Sequence, residues 1–392
     1  MIPVSKAFEF ISDNVPVGES TRLPLGEALG HILAEDVYSP INMPPFPQSA
    51  MDGYALHLHA GNRYNLHGEI KAGDAALTVL KAGEAIRIFT GGMVPEGANA
   101  VARQEIVERS EEHIWLTESV EEDANIRPLG EQIEKGQCAL NKGTPLNPGT
   151  IGYLASLGIT EVMVHRKPLV AILTTGNELI PPGEILDLGK IYESNGIMLQ
   201  SALYQLGFIA NVHRVSDDLE STRAALKSLI EQTDILLVTG GISVGDYDFV
   251  GRALADLSTQ EIFHKVKQKP GKPLYFGKNG EKVIFALPGN PAAALTCFYL
   301  YVHLALQRSM GSTRTEPNWK AARLVGDFHK NTGLTHFLKA EVSGAHVSIL
   351  SSQSSAMLSS FDRANCILVV PEDAQELADG EEVRILPIPL SA

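Results

Sequence analysis

The sequence predicts a multidomain α/β protein. It would combine a parallel-sheet α/β domain, a small β domain inserted into a helical and extended region, and a C-terminal domain like a β-barrel. Strand-like and helix-like segments alternate between about residues 168 and 311. Short β-like runs separated by turns extend from about residue 50 to residue 115, and the helical period is lost after Gly311. At 392 residues the chain also exceeds the usual size of one domain.

The N-terminal part of the chain mixes helical and strand-like patterns. Apolar residues at helical spacing predict a helix over Val4–Asn14 and a second helix over Leu25–Val37 that leads into an extended segment. The run Pro44-Pro45-Phe46-Pro47 allows no helix to continue. Strands are predicted over Ala85–Phe89, Ala100–Arg103 and His113–Leu116, and a helix over Thr150–Leu157.

Strands and helices alternate in the region that follows Lys167-Pro168. Because each strand leads to a helix, the sheet should be mostly parallel and covered on both faces. In such sheets ligands bind at the carboxyl ends of the strands, where several polar, glycine-bearing loops are predicted. Strands are predicted over 169–173, 208–215, 235–238 and 283–287, and helices over 196–206, 219–231 and 292–307.

The loop Gly240–Asp248 follows the strand 235–238 and combines three glycines with hydroxyl groups and two carboxylates. Glycine lets backbone N–H groups approach an anion closely, and hydroxyls add further donors. The carboxylates would repel a bare phosphate, so a divalent cation between them is indicated. The loop is therefore predicted to hold a phosphate ester and a divalent cation together.

A lysine-rich loop follows. Four lysines fall within the eight residues Lys265–Lys272 of an otherwise acidic chain. The prolines and the glycine in this region exclude a solvated helical face. A rigid basic loop suits phosphate, pyrophosphate or another oxyanion. A basic surface hairpin is the alternative interpretation.

Three further loops add polar groups. Thr174–Glu178 ends a strand with hydroxyls, an amide and a carboxylate, which suit phosphate or a metal but are also typical of a capped turn. Leu287–Ala294 places a helix start after a proline-rich turn, a typical anion site. Asp52, presented after the stiff proline-rich segment, and the cradle Thr90-Gly91-Gly92 are weaker signals by themselves.

Composition limits the functions open to the chain. Its net charge of −14 disfavours non-specific binding to nucleic acid or to anionic membranes. Its three cysteines lie far apart, so neither a disulfide framework nor a zinc site is expected, and a reducing cytoplasm fits. Neither a signal peptide nor a transmembrane helix is expected. The histidines closest in sequence, His57, His59 and His67, lack the spacing of a zinc site.

Taken together, these motifs resemble the molybdopterin molybdenumtransferase family, which includes the MoeA-type enzymes and the E domain of gephyrin. That family joins molybdate to the dithiolene of adenylylated molybdopterin and releases AMP, using a divalent cation. The resemblance implies a Mg²⁺-dependent transferase of molybdenum cofactor biosynthesis that acts in the cytoplasm as a homodimer. The matching segments are 44–55, 89–92, 175–179, 240–248, 269–273 and 287–291.

The resemblance also implies roles for individual residues. Glu178 and Asp248 would hold the cation, and Asp52 and Thr90 would come from the second subunit. Asp246 is expected to be more dispensable than Asp248. The implied catalytic residues are Asp52, Thr90, Glu178, Asp248, Lys265 and Lys269. The residues implied to bind the molybdopterin substrate are Thr175, Gly176, Gly240, Gly241, Ser243, Lys272, Pro288 and Pro291.

The resemblance further implies four parts and several partners. Residues 1–43 with 126–167 would form a helical and extended dimerisation domain, 44–125 the inserted β domain, 168–311 the molybdopterin-binding domain and 312–392 the C-terminal β domain. The expected partners are an upstream molybdopterin adenylyltransferase and downstream molybdoenzymes, with no nucleic acid and no membrane.

Two residues depart from the family pattern. Gln132 stands where the family usually has a carboxylate, and Lys339 stands where it has arginine, which removes the capacity for bidentate hydrogen bonding.

Two other functions are open. One is a non-catalytic scaffold that binds peptide partners in its grooves, although the retained Asp52 and Glu178 argue against it. The other is a different nucleotide-processing enzyme, such as an adenylyltransferase or a pyrophosphatase, which would not need the domain around Asp52.

Overall fold

The computed structural model describes residues 1–241, 249–331 and 333–388. Within these ranges the chain forms two compact units. The first unit comprises Met1–Thr21, Gly30–Ala34 and the chain from Met163 onward, and the second comprises Arg22–Leu29 and Glu35–Val162. None of the helices in the described ranges is long and apolar enough to cross a bilayer.

A six-stranded sheet organises the first unit. Its first three strand pairings are parallel and its last two pairings are antiparallel, so the predicted mostly parallel sheet is confirmed. The register places Val170 beside both Ala210 and Ile235, which brings the carboxyl ends of the central strands to one edge. In spatial order the strands are Ala210–Val215, Val170–Thr175, Ile235–Thr239, Lys282–Leu287, Tyr275–Asn279 and Gln260–His264.

Both faces of this sheet are buried, as the continuous apolar strands predict. Ile172 and Leu237 belong to the core on one face, whereas the next residues along each strand, Leu173 and Val238, belong to the core on the other. This alternation follows from the two-residue period of a strand. Burial of each such Leu or Val side chain stabilises the fold by about 1.5–3 kcal/mol.

Helices cover the two faces, and the predicted helices are confirmed to within one or two residues. Asp218 begins one of them by accepting a hydrogen bond from the N–H of Ser221 at 2.8 Å. The last two helices are joined by a π-helical turn, Phe298–Val302. The helices of this unit are Val4–Asn14, Asn195–Gln205, Leu219–Gln232, Phe249–Asp256, Pro291–Cys297 and His303–Ser309.

The C-terminal strands of the first unit close into a five-stranded barrel. Closure occurs because Thr335–Ser343 pairs with both His346–Ile349 and Cys366–Val370. A short strand, Gln268–Lys269, adds to the barrel in parallel beside Thr335–Ser343. The remaining barrel strands are Lys320–Val325 and Glu382–Pro387. The predicted C-terminal β-barrel-like fold is confirmed.

The second unit is built on another six-stranded sheet. Its helix Pro148–Ser156 begins with a capping box in which Asn147 and Thr150 exchange hydrogen bonds. The predicted strands and the predicted helix of this region are confirmed. In spatial order the strands are Ala100–Arg103, Gly53–Leu56, Glu84–Ile88, Arg63–Ile70, His113–Leu116 and Val107–Arg109.

The predicted helix over Leu25–Val37 is wrong. Only a 3₁₀ turn, Leu25–Glu27, forms there, and irregular chain follows it. Gly26 and Gly30 explain the difference, because each glycine lowers the stability of a helix by about 1 kcal/mol relative to alanine. Gly30 also adopts a φ of 76°, which ends any helix at that point.

Short elements complete the two units. Two further 3₁₀ turns span Gln104–Ile106 and Ser359–Asp362. The short strands are Ser20–Pro24, Val37–Tyr38, Gln48–Ser49, Ile126–Arg127, Cys138–Leu140, Glu161–His165, Leu179–Ile180, Ile191–Tyr192, Phe328–His329 and Glu376–Leu377.

Candidate functional site

A cavity of about 1310 Å³ lies within the first unit, at the carboxyl ends of the parallel strands. Its wall includes the ends of two of them, Thr175 and Thr239. This is where an open α/β sheet is expected to bind its ligand. The predicted site residues that line the cavity are Thr175, Glu178, Gly240, Gly241, Lys269, Lys272, Pro288 and Pro291.

Gly240 packs against the end of the neighbouring strand. Its φ is 89°, and a Cβ at this position would collide with the backbone oxygen of Thr175. Only glycine therefore allows the loop to leave the sheet in this direction. The side chain of Thr175 is fixed in turn, because its hydroxyl donates to Asp217 Oδ1 at 3.0 Å. These contacts bring two strand ends together at the cavity wall.

Lys269 and Lys272 give the cavity positive charge. The strand Gln268–Lys269 directs Gln268, which is 1% exposed, into the protein interior, while the next residue, Lys269, is exposed. Within the described ranges neither lysine forms an ion pair, so both charges are available to an anion. Lys265, by contrast, is not among the described residues that line the cavity. Its backbone instead joins the N-terminus, since its carbonyl accepts from the N–H of Ile2 at 3.0 Å.

The proline-rich turn before the helix Pro291–Cys297 is held from two sides. Asn195 Nδ2 donates to the carbonyl of Gly289 at 2.8 Å and to Thr239 Oγ1 at 2.7 Å. Asn290 occupies the N-cap position, but its side chain makes no capping bond and donates to Ser355 Oγ at 2.9 Å. The shape of the wall formed by this turn thus depends on both the sheet and the barrel.

Several lining residues had not been singled out from the sequence. Glu193 lies just before the helix Asn195–Gln205 and Asn195 is its first residue, and this pair of polar residues at a helix start is a local signal that identifies them. The barrel adds other residues that carry no local signal, since only the tertiary fold brings them to the cavity. These barrel-side residues are Phe328, His329, Lys330, Asn331, Leu334, His336, Phe337, Leu338, Gln353, Ser354 and Ser355.

Lys339 fixes one of these barrel segments. Its ammonium group, on a residue that is 4% exposed, donates to the carbonyls of Ser352 at 2.7 Å and Met357 at 2.9 Å. Burial lowers the pKa of Lys339. A lysine at this position therefore acts on the turn that carries Ser354 and Ser355, which line the cavity.

His336 lies beside Lys269 across the strand pairing and also lines the cavity. Burial, with the nearby charges of Lys330 and Lys269, lowers the pKa of His336 to about 4. His336 is therefore neutral at physiological pH. The positive charge of this wall comes from lysine.

Asp52 and Thr90 lie together in the second unit. One carboxylate oxygen of Asp52 accepts from both the N–H and the hydroxyl of Thr90, each at 2.8 Å. The N–H of Thr90, its hydroxyl and the charge of Arg87 lower the pKa of Asp52. The carboxylate is exposed and ionised, and its orientation is fixed.

Three predicted site residues remain. Gly176 follows the strand Val170–Thr175 with a φ of 151° and is not among the described residues that line the cavity. Ser243 and Asp248 lie outside the described residues.

Family models match most of the chain. Residues 2–158 match the "MoeA N-terminal region (domain I and II)", residues 171–308 the "Probable molybdopterin binding domain", and residues 321–388 the "MoeA C-terminal region (domain IV)". The order of the three models agrees with the motifs read from the sequence.

Whole-length relatives agree with these matches. The molybdopterin molybdenumtransferase of Staphylococcus epidermidis is 33% identical over 98% of this chain and 95% of its own length. That of Staphylococcus aureus is 32% identical over the same shares. A crystal structure of the MoeA protein of Pyrococcus horikoshii OT3 superposes with a TM-score of 0.85 at 32% identity, covering 98% of this chain and 99% of that one. The resemblance seen in the motifs is confirmed, and the chain belongs to the molybdopterin molybdenumtransferase family of molybdenum cofactor biosynthesis.

Proposed function

We propose that the chain transfers molybdenum from molybdate to adenylylated molybdopterin and releases AMP. The observation that carries the proposal is the cavity at the strand ends, whose wall holds Lys269 and Lys272, neither of which forms an ion pair with another described residue. Molybdate and the pyrophosphate group of the substrate are both anions, and both need fixed positive charge in an acidic protein.

The cavity residues bind and orient the substrates. Lys269 and Lys272 neutralise the phosphate oxygens or molybdate, and the backbone at Gly240 and Gly241 approaches the anion without a side chain between them. Pro288 and Pro291 shape the wall beside them. Holding molybdate beside the dithiolene in this way lowers the entropic part of the barrier.

We propose Mg²⁺ as the divalent cation. Magnesium commonly takes one or two carboxylates together with substrate phosphates. Glu178, exposed in the cavity wall, supplies one carboxylate, and Asp248 is proposed as the second. When bound, the cation would offset the negative charge on the pyrophosphate.

We further propose a homodimer in which Asp52 and Thr90 of one subunit act at the cavity of the other. A carboxylate held in one orientation by two hydrogen bonds suits a positioned catalytic group. Mixing Asp52→Ala subunits with Lys269→Ala subunits tests this arrangement, since each mixed dimer would contain one intact site. About a quarter of wild-type activity should return after random exchange. If the mixture stays as inactive as its components, the shared site is ruled out.

The proposed reaction also implies partners and a location. We infer that an adenylyltransferase supplies the activated substrate, that molybdoenzymes receive the product, and that the reaction takes place in the cytoplasm.

The function is tested by incubating purified protein with adenylylated molybdopterin, molybdate and Mg²⁺. We expect AMP release that requires both molybdate and the cation. Release of AMP at the same rate with and without molybdate would indicate a pyrophosphatase instead. Turnover of ATP with molybdopterin would indicate an adenylyltransferase.

A further inference from the structure

A buried polar cluster lies beneath the lysine-bearing turn of the cavity. It consists of Gln268, Cys297 and Tyr301, of which Gln268 is 1% exposed and the other two are 0% exposed. The hydroxyl of Tyr301 donates to Gln268 Oε1. Gln268 Nε2 donates to the carbonyl of Gly271 at 3.1 Å and contacts Cys297 Sγ at 3.5 Å. The cluster thus connects a helix directly to the turn between Lys269 and Lys272.

The direction of these hydrogen bonds is fixed by chemistry. Burial raises the pKa of Tyr301 well above its usual value, so its hydroxyl keeps its proton and acts as a donor. Gln268 Oε1 is then the acceptor, which turns the amide N–H₂ toward Gly271. Burial raises the pKa of Cys297 to about 12, so the thiol is neutral as well. A neutral and internally satisfied cluster of this kind specifies one arrangement of the chain above it.

Tyr301 reaches Gln268 from the π-helical turn Phe298–Val302. Such turns are rare and often occur at functional sites, because the extra residue reorients the side chains around it. Here the π-helical turn lies between two α-helical segments that continue on both sides, Pro291–Cys297 and His303–Ser309.

Gly271 packs onto the same cluster. Its φ is 84°, and a Cβ at this position would collide with Cys297 Sγ and lie 2.9 Å from Gln268 Nε2. The turn is therefore in direct van der Waals contact with the cluster beneath it. Lys269 and Lys272, on either side of Gly271, are exposed in the cavity wall.

We propose that Gln268 and Tyr301 are positioning residues that hold the turn so that Lys269 and Lys272 direct their charges into the cavity. Tyr301 is not among the described residues that line the cavity, and Gln268 lines it with only 1% of its surface exposed, so both act through the two lysines. The inference rests on the proposed function, in which these lysines bind the substrate anions.

The test uses inorganic pyrophosphate as the probe and isothermal calorimetry on the full chain. Gln268→Met keeps the side-chain length but removes both hydrogen bonds, and Tyr301→Phe removes only the hydroxyl. Gln268→Met should weaken pyrophosphate binding by about tenfold and Tyr301→Phe by roughly threefold, because a small displacement of charged groups is costly in a binding site. Tyr299→Phe is the matched control, since Tyr299 belongs to the same π-helical turn and is also buried in the apolar core. It should bind pyrophosphate as the wild type does.

Repeating the measurement in a protein that already carries Lys269→Ala separates a positioning role from a general structural role. If Gln268 acts through Lys269, its substitution should cost no more than about threefold in a Lys269→Ala protein, because coupled residues are not additive. The proposal would be overturned if Gln268→Met weakened pyrophosphate binding by the same factor in the wild-type and Lys269→Ala proteins. It would also be overturned if Gln268→Met left the affinity of the wild type unchanged, or if the wild-type protein bound no pyrophosphate. If Gln268→Met does not fold, Tyr301→Phe supplies the comparison, and its roughly threefold cost in the wild type should disappear in the Lys269→Ala protein. Absence of AMP release in the wild type would refute the proposed function alone, since the binding comparison does not depend on turnover.

Discussion

Asp52 and Thr90 form a two-point hydrogen bond in which one carboxylate oxygen accepts from an N–H and a hydroxyl, each at 2.8 Å. The two residues lie on different loops of the second unit, 38 positions apart in sequence. The sequence motifs around them were recognised separately, but their contact was not predicted from the residues alone. The contact explains why a threonine accompanies the aspartate.

Thr90→Val should lower the rate of AMP release by roughly tenfold, because Asp52 loses one of the two hydrogen bonds that orient its charge. Thr90→Ser keeps the hydroxyl and should stay close to the wild type. Initial rates at saturating substrate measure the difference. Equal rates for the valine and serine variants would show that the hydroxyl does not orient Asp52.

Lys339→Met should loosen the turn around Ser352–Met357. The substitution removes the ammonium group that donates to the carbonyls of Ser352 and Met357, and each lost hydrogen bond costs about 0.5–1.5 kcal/mol. Hydrogen exchange by mass spectrometry should show lost protection in this segment and unchanged protection in the second unit. Lys339→Arg should largely retain the wild-type pattern. Full protection in Lys339→Met would contradict the role given to this lysine.

Asp234→Asn should destabilise the first unit in a pH-dependent manner. Burial would by itself raise the pKa of Asp234, but hydrogen bonds from Arg166, from the N–H of Leu169 and from Lys282 lower it to about 2. Because the folded pKa lies below the unfolded one, near 3.9, this stabilisation is present above about pH 4 and is lost as the pH falls toward 2. It amounts to at most about 2.6 kcal/mol, and solvent screening reduces it.

Urea unfolding of the wild type and Asp234→Asn at pH 7 and at pH 3 measures this effect. The difference in unfolding free energy between the wild type and Asp234→Asn should be larger at pH 7 than at pH 3. Glu281→Gln, at an exposed carboxylate nearby, is the control and should show no such gap. A gap that stays constant with pH would show that the ion pairs of Asp234 with Arg166 and Lys282 do not provide the stabilisation.

Gly240→Ala should lower both stability and activity. The φ of 89° and the approach to the backbone oxygen of Thr175 leave no room for a methyl group, and forcing this conformation costs on the order of 1–3 kcal/mol. Gly289→Ala is the control for stability, because a Cβ there would meet no atom within 4 Å. Thermal unfolding of the two variants measures the contrast. The same melting temperature for both would refute the steric argument.

The sequence predicted those parts of the structure that depend on local pattern. Continuous apolar strands such as Ile235–Thr239 are buried on both faces, and their alternation with helices led to the parallel sheet. The polar loops that follow these strands in the sequence therefore identified most of the residues in one wall of the cavity. The helix predicted over Leu25–Val37 does not form, because apolar spacing alone does not include the cost of Gly26 and Gly30 to a helix.

The opposite wall could not be predicted, because it depends on long-range contacts. The bond from Asn290 to Ser355 spans 65 residues, and no local pattern in either segment indicates it. The same holds for Tyr301 and Gln268, whose side chains meet only because a π-helical turn reorients one of them. The sequence indicates only that Lys339 lacks the bidentate capacity of arginine, whereas the structure gives it three backbone acceptors, the carbonyls of Ser352, Ser354 and Met357.

A crystal structure of the chain with molybdate and AMP tests the central claim most directly. The claim is that the cavity of the first unit holds the anionic groups of the substrates. Density for the anions should appear between Lys269, Pro288 and the backbone of Gly240 and Gly241, and it should be lost in Lys269→Ala. Density for both ligands outside this cavity, with the cavity itself holding neither, would contradict the account.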